Sequence, residues 1–226
     1  MADTYEVEVK SLLGSQEAAN RLRDRLRARD PHCVLQSSST QLNHYFIDGD
    51  IEALVRILSP LVSADTVSKM TRIAQDGKSI SIRSREVDGA VRIVMKASVG
   101  DDSSANGVAR IEVEEVIPQL SLEKLDAKIQ EAGYHYQAKW SRAREEYTTG
   151  PIAVCLDKNA GYGYVAEFEQ VVPDVARIAD ARRAIDALMQ ELEVEELSQD
   201  RLERMFAHYN THWKEYYGTD KIFIIN

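Results

Sequence analysis

The chain has 226 residues, 44% hydrophobic and 29% charged, a balance that supports one large or two small domains with a real core and excludes disorder as the default. Its net charge of −9 argues against a general nucleic-acid binder, which needs a basic excess to neutralise phosphates, so any phosphate site must be a local basic pocket. Cys33 and Cys155 lack Cys-x-x-Cys spacing and signal neither zinc nor a disulfide framework, and a polar start with no long apolar run points to the cytoplasm, away from secretion and membranes.

Residues 4–11, Thr-Tyr-Glu-Val-Glu-Val-Lys-Ser, alternate charged and apolar side chains. Extended backbone sends successive side chains to opposite faces, so Glu6, Glu8 and Lys10 share one face and Val7 and Val9 the other. Ser15 is an N-cap for a helix over 16–29, with Leu22 and Leu26 one turn apart and Pro31 beyond its end. The arginines at 21, 23, 25, 27 and 29 alternate too fast for one helical face and read as solvated. Residues 34–36 and 41–47 are predicted strands separated by polar Ser-Ser-Ser-Thr. Asp50 caps a short helix whose Leu54, Ile57, Leu58 and Leu61 cover an end of the sheet.

Residues 78–96 read as a hairpin, with Asp88-Gly89 as its two-residue turn. An exposed loop over 100–107 is followed by a strand that Pro118 stops, and a helix over 124–132, opened by Ser121, ends at Gly133. Three further strands between 134 and 172, broken near 148–151 and 158–163, bring the count to about eight. Beyond Pro173 the apolar period becomes helical over 175–192, then over 199–209, with a short segment around Trp213. No Gly/Ser/Pro linker precedes this tail, so we expect one domain over 1–226: a core over 1–172 with the helices of 173–226 packed on it.

The charged stripe of the first strand recurs at Arg83-Ser-Arg85, Arg110-Ile-Glu112-Val-Glu114, Arg142-Ala-Arg144 and Glu167-Phe-Glu169. Several such strands share one charged surface only if the sheet curves around it, which makes that surface the inside of a barrel. Other conspicuous residues read as structural. His208 and His212 have one-turn spacing but Tyr209 stands where a zinc protease needs Glu. Gly161-Tyr-Gly163 precedes a strand and is a turn, not a dinucleotide loop, and Tyr209, Trp213, Tyr216 and Tyr217 read as packing.

The order of these motifs resembles a known family. Glu6-Val-Glu8-Val-Lys10 matches the Glu-x-Glu-x-Lys signature of the CYTH superfamily, the triphosphate tunnel metalloenzymes that include class IV adenylate cyclases, thiamine triphosphatases and inorganic triphosphatases. Asn43-His-Tyr45-Phe resembles the family's Asn/Asp-x-Tyr-Phe, Ile82-Arg83-Ser-Arg85 its Leu-Arg-Ile-Arg, Val94-Met-Lys96 its Thr-Leu-Lys, and Arg110-Ile-Glu112-Val-Glu114 its Arg-x-Glu-x-Glu. Later, Arg142-Ala-Arg144-Glu-Glu-Tyr147 resembles Lys-x-Arg-x-x-Tyr, Val154-Cys-Leu-Asp157 an apolar strand ending in Asp, and residues 161–169 a Gly-x-Gly strand ending in Glu-x-Glu. Ile47 stands where many members carry Asp, and Lys96 is not followed by the usual Gly-Pro.

The resemblance implies an α+β fold: an eight-stranded antiparallel closed β tunnel, helices outside it, and a C-terminal helical tail. It implies that Lys10, Arg83, Arg85, Lys96, Arg110, Arg142 and Arg144 bind a triphosphate, since guanidinium groups grip phosphate oxygens bidentately and Lys adds compact charge. Lys10 and Tyr45 are the candidates for placing the nucleophile. Glu6, Glu8, Glu112, Glu114, Asp157, Glu167 and Glu169 are the candidate metal ligands, with Glu6, Glu8, Glu167 and Glu169 favoured; oxygen-only donors suit Mg²⁺ or Mn²⁺. The function implied is metal-dependent hydrolysis of tripolyphosphate, thiamine triphosphate or a nucleoside triphosphate. The alternatives are a class IV adenylate cyclase and a non-catalytic triphosphate-binding module, which would gain nothing from inward glutamates. The expected partner is a small-molecule triphosphate, with neither nucleic acid nor membrane, and a homodimer is open.

Overall fold

Strand alternation and capped helices divide the chain as follows in the computed structural model, which describes residues 5–98 and 110–225. The elements are β1 (Tyr5–Gly14), α1 (Gln16–Arg29), β2 (Leu35–Ile47), α2 (Ile51–Leu58) with a 3-10 turn (Ser59–Leu61), α3 (Ala64–Asp76), β3 (Lys78–Val87), β4 (Ala90–Ser98), β5 (Arg110–Val116), α4 (Leu122–Glu131), β6 (His135–Thr149), β7 (Ile152–Asn159), β8 (Gly163–Val172), α5 (Ile178–Glu191) and α6 (Gln199–Tyr216). The strands form one eight-stranded sheet in the order β1-β8-β7-β6-β2-β3-β4-β5. The α+β class and the eight antiparallel strands are therefore as expected. The order is open, with no ladder joining β5 back to β1 among the described residues, where the resemblance implies closure. No helix among them is long and apolar enough to cross a membrane.

Two compact units result, one taking in residues 5–40 and 141–225, the other 41–98 and 110–140. In the first, Val7 and Val9 of β1, Val154 and Leu156 of β7 and Phe168 of β8 meet Leu22 and Leu26 of α1 and Ile185 and Leu188 of α5. In the second, Phe46, Ile82, Ile93, Met95 and Val113 of the strands meet Leu54 and Leu58 of α2, Met70 and Ile73 of α3, and Leu125 and Ile129 of α4. Leu54 and Leu58 have no exposed surface, so truncating either to Ala costs about 2–5 kcal/mol. Each core takes one side-chain parity of its strands. The other parity is left to the charged residues.

The helix over 16–29 begins where Ser15 predicts, its side chain accepting from Ala18 N at 3.2 Å. Its arginines are not all solvated, however. Arg21, Arg27 and Arg29 are exposed, but Arg23 forks onto Glu145 (Nε–Oε2 2.8 Å, Nη2–Oε1 3.2 Å) and Arg25 donates to the Leu192 carbonyl at 2.7 Å; these partners lie far away in sequence, where local periodicity does not reach. The split expected at Ser37–Thr40 is also absent. β2 runs unbroken for 13 residues, because β-branched Thr40 is at ease in a strand and Ser37 Oγ finds Glu146 at 2.8 Å. Likewise α6 continues through Tyr209 to Tyr216, with no Gly or Pro to stop it and Tyr209 fully buried.

Candidate active site

In the first unit, the β1–β8 register sets Glu8 opposite Glu169, Lys10 opposite Glu167 and Glu6 opposite Val171. β7 follows with Cys155 opposite Glu167 and Asp157 opposite Val165, and β6 with Arg144 opposite Asp157, Arg142 opposite Asn159 and Glu146 opposite Cys155. Directly opposed residues of an antiparallel ladder point to one side. One face of this unit therefore carries Glu6, Glu8, Lys10, Arg142, Arg144, Glu146, Asp157, Glu167 and Glu169, and the core takes the other.

The charges on that face are already engaged. Asp157, fully buried, accepts from Arg142 Nη1 at 2.8 Å and from Arg144 Nε and Nη2 at 2.7 and 2.6 Å. Arg144 also bonds Glu167, and Lys10 Nζ lies between Glu167, at 3.3 Å, and Glu8. Burial pushes the Glu167 carboxyl up, but Lys10, Arg144 and Arg142 outweigh it and hold the group well below the usual carboxylate range. Burial pulls the Arg144 guanidinium down, but the bond to Asp157 and the charges of Glu167 and Asp157 outweigh it and raise it. The neighbouring Cys155 thiol is pushed up to about 12 by burial, so it stays protonated and is no nucleophile at neutral pH.

In the second unit, β2 and β3 set Asn43 opposite Arg85 and Tyr45 opposite Arg83. β4 sets Arg92 opposite Arg85 and Lys96 opposite Ser81, and β5 sets Glu112 opposite Lys96 and Glu114 opposite Val94. The Arg85 Nε donates to Asn43 Oδ1 at 2.7 Å and its Nη1 to Glu114 Oε2 at 2.8 Å. Arg92 Nη1 reaches the other Glu114 oxygen at 3.1 Å, and Lys96 Nζ lies 2.9 Å from Glu112. The Arg83 guanidinium stacks 4.4 Å from the Tyr45 ring centroid while its Nε donates to Ser81 at 3.1 Å. Tyr45 in turn lies against Trp140, 6.4 Å between centroids. Arg110 opens β5 opposite Ser98; its side chain lies outside the described residues.

Solved structures share this arrangement of elements. A candidate adenylate cyclase of Vibrio parahaemolyticus matches with a TM-score of 0.58 and 16% identity over 92% of this chain and 99% of its own. A Pyrococcus horikoshii protein matches with a TM-score of 0.57 and 18% identity over 88% of this chain and 98% of its own. HpAC1 of Hippeastrum, a candidate adenylyl cyclase described as having a dominant triphosphatase activity, matches with a TM-score of 0.50 and 17% identity over 88% and 95%. The chain shares the fold of these proteins. No protein-family model and no curated protein matches its sequence.

On this fold the expected site residues fall into two sets by unit: the glutamates of β1 and β8 with Lys10, Arg142, Arg144 and Asp157 in one, and Tyr45, Arg83, Arg85, Lys96, Glu112 and Glu114 in the other. Three residues on these faces escaped the sequence reading. Arg92 has the parity of Lys96 and the same strand, a signal that was available; its Nε is buried without a hydrogen-bond partner. Glu146 has the parity of Arg144, and Asn43 sits in the Asn-His-Tyr-Phe motif. Behind the second face a buried carboxylate, Asp126, binds His44 Nδ1 at 2.7 Å, Tyr136 OH at 2.6 Å and Ser84 Oγ. Nothing local in the sequence announces it.

Proposed function

We propose that the protein is a divalent-metal-dependent phosphohydrolase acting on a triphosphate. The observation that carries this reading is the β2–β5 face, where Arg83, Arg85 and Lys96 stand within one patch and Arg85 and Lys96 are held by carboxylates rather than buried among them. An incoming phosphate chain replaces Glu112 and Glu114 as the acceptor, and the guanidinium fork suits phosphate as well as it suits carboxylate. Arg144 keeps its Nη1 donors beyond those on Asp157 and Glu167.

The donors present fit a hard cation: Glu8 and Glu169 face each other across the β1–β8 ladder, with Glu6 and Glu167 on the same face, all of them carboxylates. Among the described residues no three such groups are yet gathered at one point. Lys10 stands on Glu8 and Glu167, so binding of Mg²⁺ or Mn²⁺ by Glu6, Glu8, Glu167 and Glu169 requires Lys10 to turn away toward the substrate. The bound metal would supply charge neutralisation and a more acidic water. Lys10, once released, would donate to a phosphate oxygen. Arg83 and Arg85 stabilise the charge that develops on the transferred phosphoryl group, and Tyr45 holds Arg83 by its ring face.

HpAC1 has a dominant triphosphatase activity, and hydrolysis is the reading preferred here. If a ribose 3′-hydroxyl of bound ATP attacked its α-phosphate instead of water, cyclic AMP and diphosphate would result, the class IV adenylate cyclase outcome. Incubation with Mg²⁺ or Mn²⁺ and tripolyphosphate, ATP or thiamine triphosphate, with products resolved by ion exchange, tests the proposal. Orthophosphate release is the expected result. Cyclic AMP with diphosphate from ATP replaces hydrolysis by cyclisation, and binding without turnover leaves only a binding module.

A further inference from the structure

We propose that Asp126 is a positioning residue for the β2–β3 face, acting from behind it to set the geometry of Arg83, Arg85 and their partners. The proposal rests on reading that face as the phosphate site. Asp126 lies on α4 with 2% exposure, His44 on β2 with 3% and Ser84 on β3 with none. His44 and Ser84 are opposed in the β2–β3 ladder, and the pairs flanking them on that ladder are Asn43 with Arg85 and Tyr45 with Arg83. The carboxylate thus grips the one cross-strand pair that lies between the two cross-strand pairs of the face.

The chemistry of the grip is one-directional. Burial pushes the Asp126 carboxyl up, but the bonds from His44, Ser84 and Tyr136 outweigh it and hold the group below the ordinary aspartate range. An ionised carboxylate only accepts, so His44 donates through Nδ1–H, Ser84 through its hydroxyl and Tyr136 of β6 through its phenol. Lys139 Nζ, 4.0 Å away, and its contact with the Tyr136 ring complete the surroundings. A core built only for stability has no need of such a group, because apolar side chains of similar volume often serve as well as a buried charge. What the carboxylate adds is alignment. The Arg85 Nε bond to Asn43 and the stacking of Arg83 on Tyr45 both exist only while β2 and β3 hold their relative height, and a slip of one residue would turn every side chain to the wrong face.

Asp126→Asn preserves shape but turns an NH₂ group toward groups that are themselves donors. Turnover of tripolyphosphate is expected to fall about tenfold in kcat/KM, the scale of a small misplacement of charged groups. In an Arg85→Ala background the same change should cost less than about twofold, because the residue it acts through is gone. Ser84→Ala removes a single donor and should move in the same direction by a smaller factor, which guards against a failure of Asp126→Asn to fold. Independently of any substrate, the Arg85 Nε–H resonance should shift in Asp126→Asn as the bond to Asn43 loosens. Equal losses in both backgrounds together with an unmoved Arg85 resonance overturn the proposal. If the wild-type protein turns over no triphosphate, the reading of the face as a phosphate site fails, and the Arg85 resonance alone decides whether Asp126 positions that arginine.

Discussion

Arg83 and Arg85 differ in how they are held, and this sets what their removal should do. Arg85 is fixed by Asn43 and Glu114, whereas Arg83 rests on an aromatic face and one hydroxyl. Replacing either by Ala should cost about 1.5–3 kcal/mol, roughly 10- to 150-fold in kcat/KM, the range for a hydrogen bond to a charged group. Lys at either position should recover only part, since the charge returns without the planar fork. Steady-state kinetics with tripolyphosphate checks this; losses under twofold for both Ala variants would remove these arginines from the phosphate site. A second residue-scale expectation concerns Arg144. It satisfies Asp157, which has no exposed surface, and Glu167 as well, so Arg144→Met leaves Asp157 to Arg142 alone and Glu167 to Lys10 alone and should destabilise by about 1.5–3 kcal/mol in urea unfolding, the range for a lost hydrogen bond to a charged group. Glu167 adds a pH dependence. Its folded carboxyl lies below the usual range, so its stabilisation is fully present above the unfolded glutamate value and is lost as pH falls through the folded one. Glu167→Gln should therefore flatten the acid limb of stability against pH, and an unchanged limb would count against the ion-pair account.

Turns and caps show which elements a sequence announces. The β3–β4 hairpin was legible because Asp88-Gly89 is a turn pair, and both residues adopt the left-handed conformation there, with φ of 48° and 84°. Gly89→Ala puts a Cβ on that backbone and should cost about 1–2 kcal/mol, read as a fall in the midpoint of thermal unfolding with the arginines of β3 still in place. By contrast α3 was missed. Its signal was present in Ser63, whose side chain accepts from Thr66 N at 3.3 Å, and in the buried series Thr66, Met70 and Ile73. Glu115 of β5 adds a tertiary cap, accepting from Ser63 N and Oγ at 2.8 and 2.9 Å, which no local pattern announces. Ser63→Ala removes the hydroxyl partner and should cost about 1 kcal/mol. The candidate site was legible to the same depth as these elements: two-residue alternation separates the charged parity of the strands from the apolar one, but ion-pair partners such as Asp157 with Arg142 and Arg144, and the contacts of Asp126, depend on residues far apart in sequence.

At the scale of the whole molecule, the proposed function asks a chain of net charge −9 to attract a polyanion, and its basic groups are segregated on strand faces with carboxylate partners. On the β1–β8 ladder that arrangement puts Lys10 where a divalent cation would compete with it, since the same Glu8 and Glu167 serve either. Two consequences oppose each other. Removing the ammonium by Lys10→Ala relieves the competition, so Mn²⁺ should bind more tightly to the variant, by several-fold in a calorimetric titration without substrate. Turnover should nevertheless fall, because the donor that is released toward the phosphate is gone. For the wild type, chelation should abolish tripolyphosphate hydrolysis, and Mg²⁺ or Mn²⁺ should restore it while Ca²⁺, larger and more loosely coordinated, should not. Full activity in chelator rules out the metal mechanism outright. Weaker Mn²⁺ binding by Lys10→Ala would instead mean that the lysine supports the metal site from beside it, and the exchange of one cation for the other between Glu8 and Glu167 would have to be abandoned.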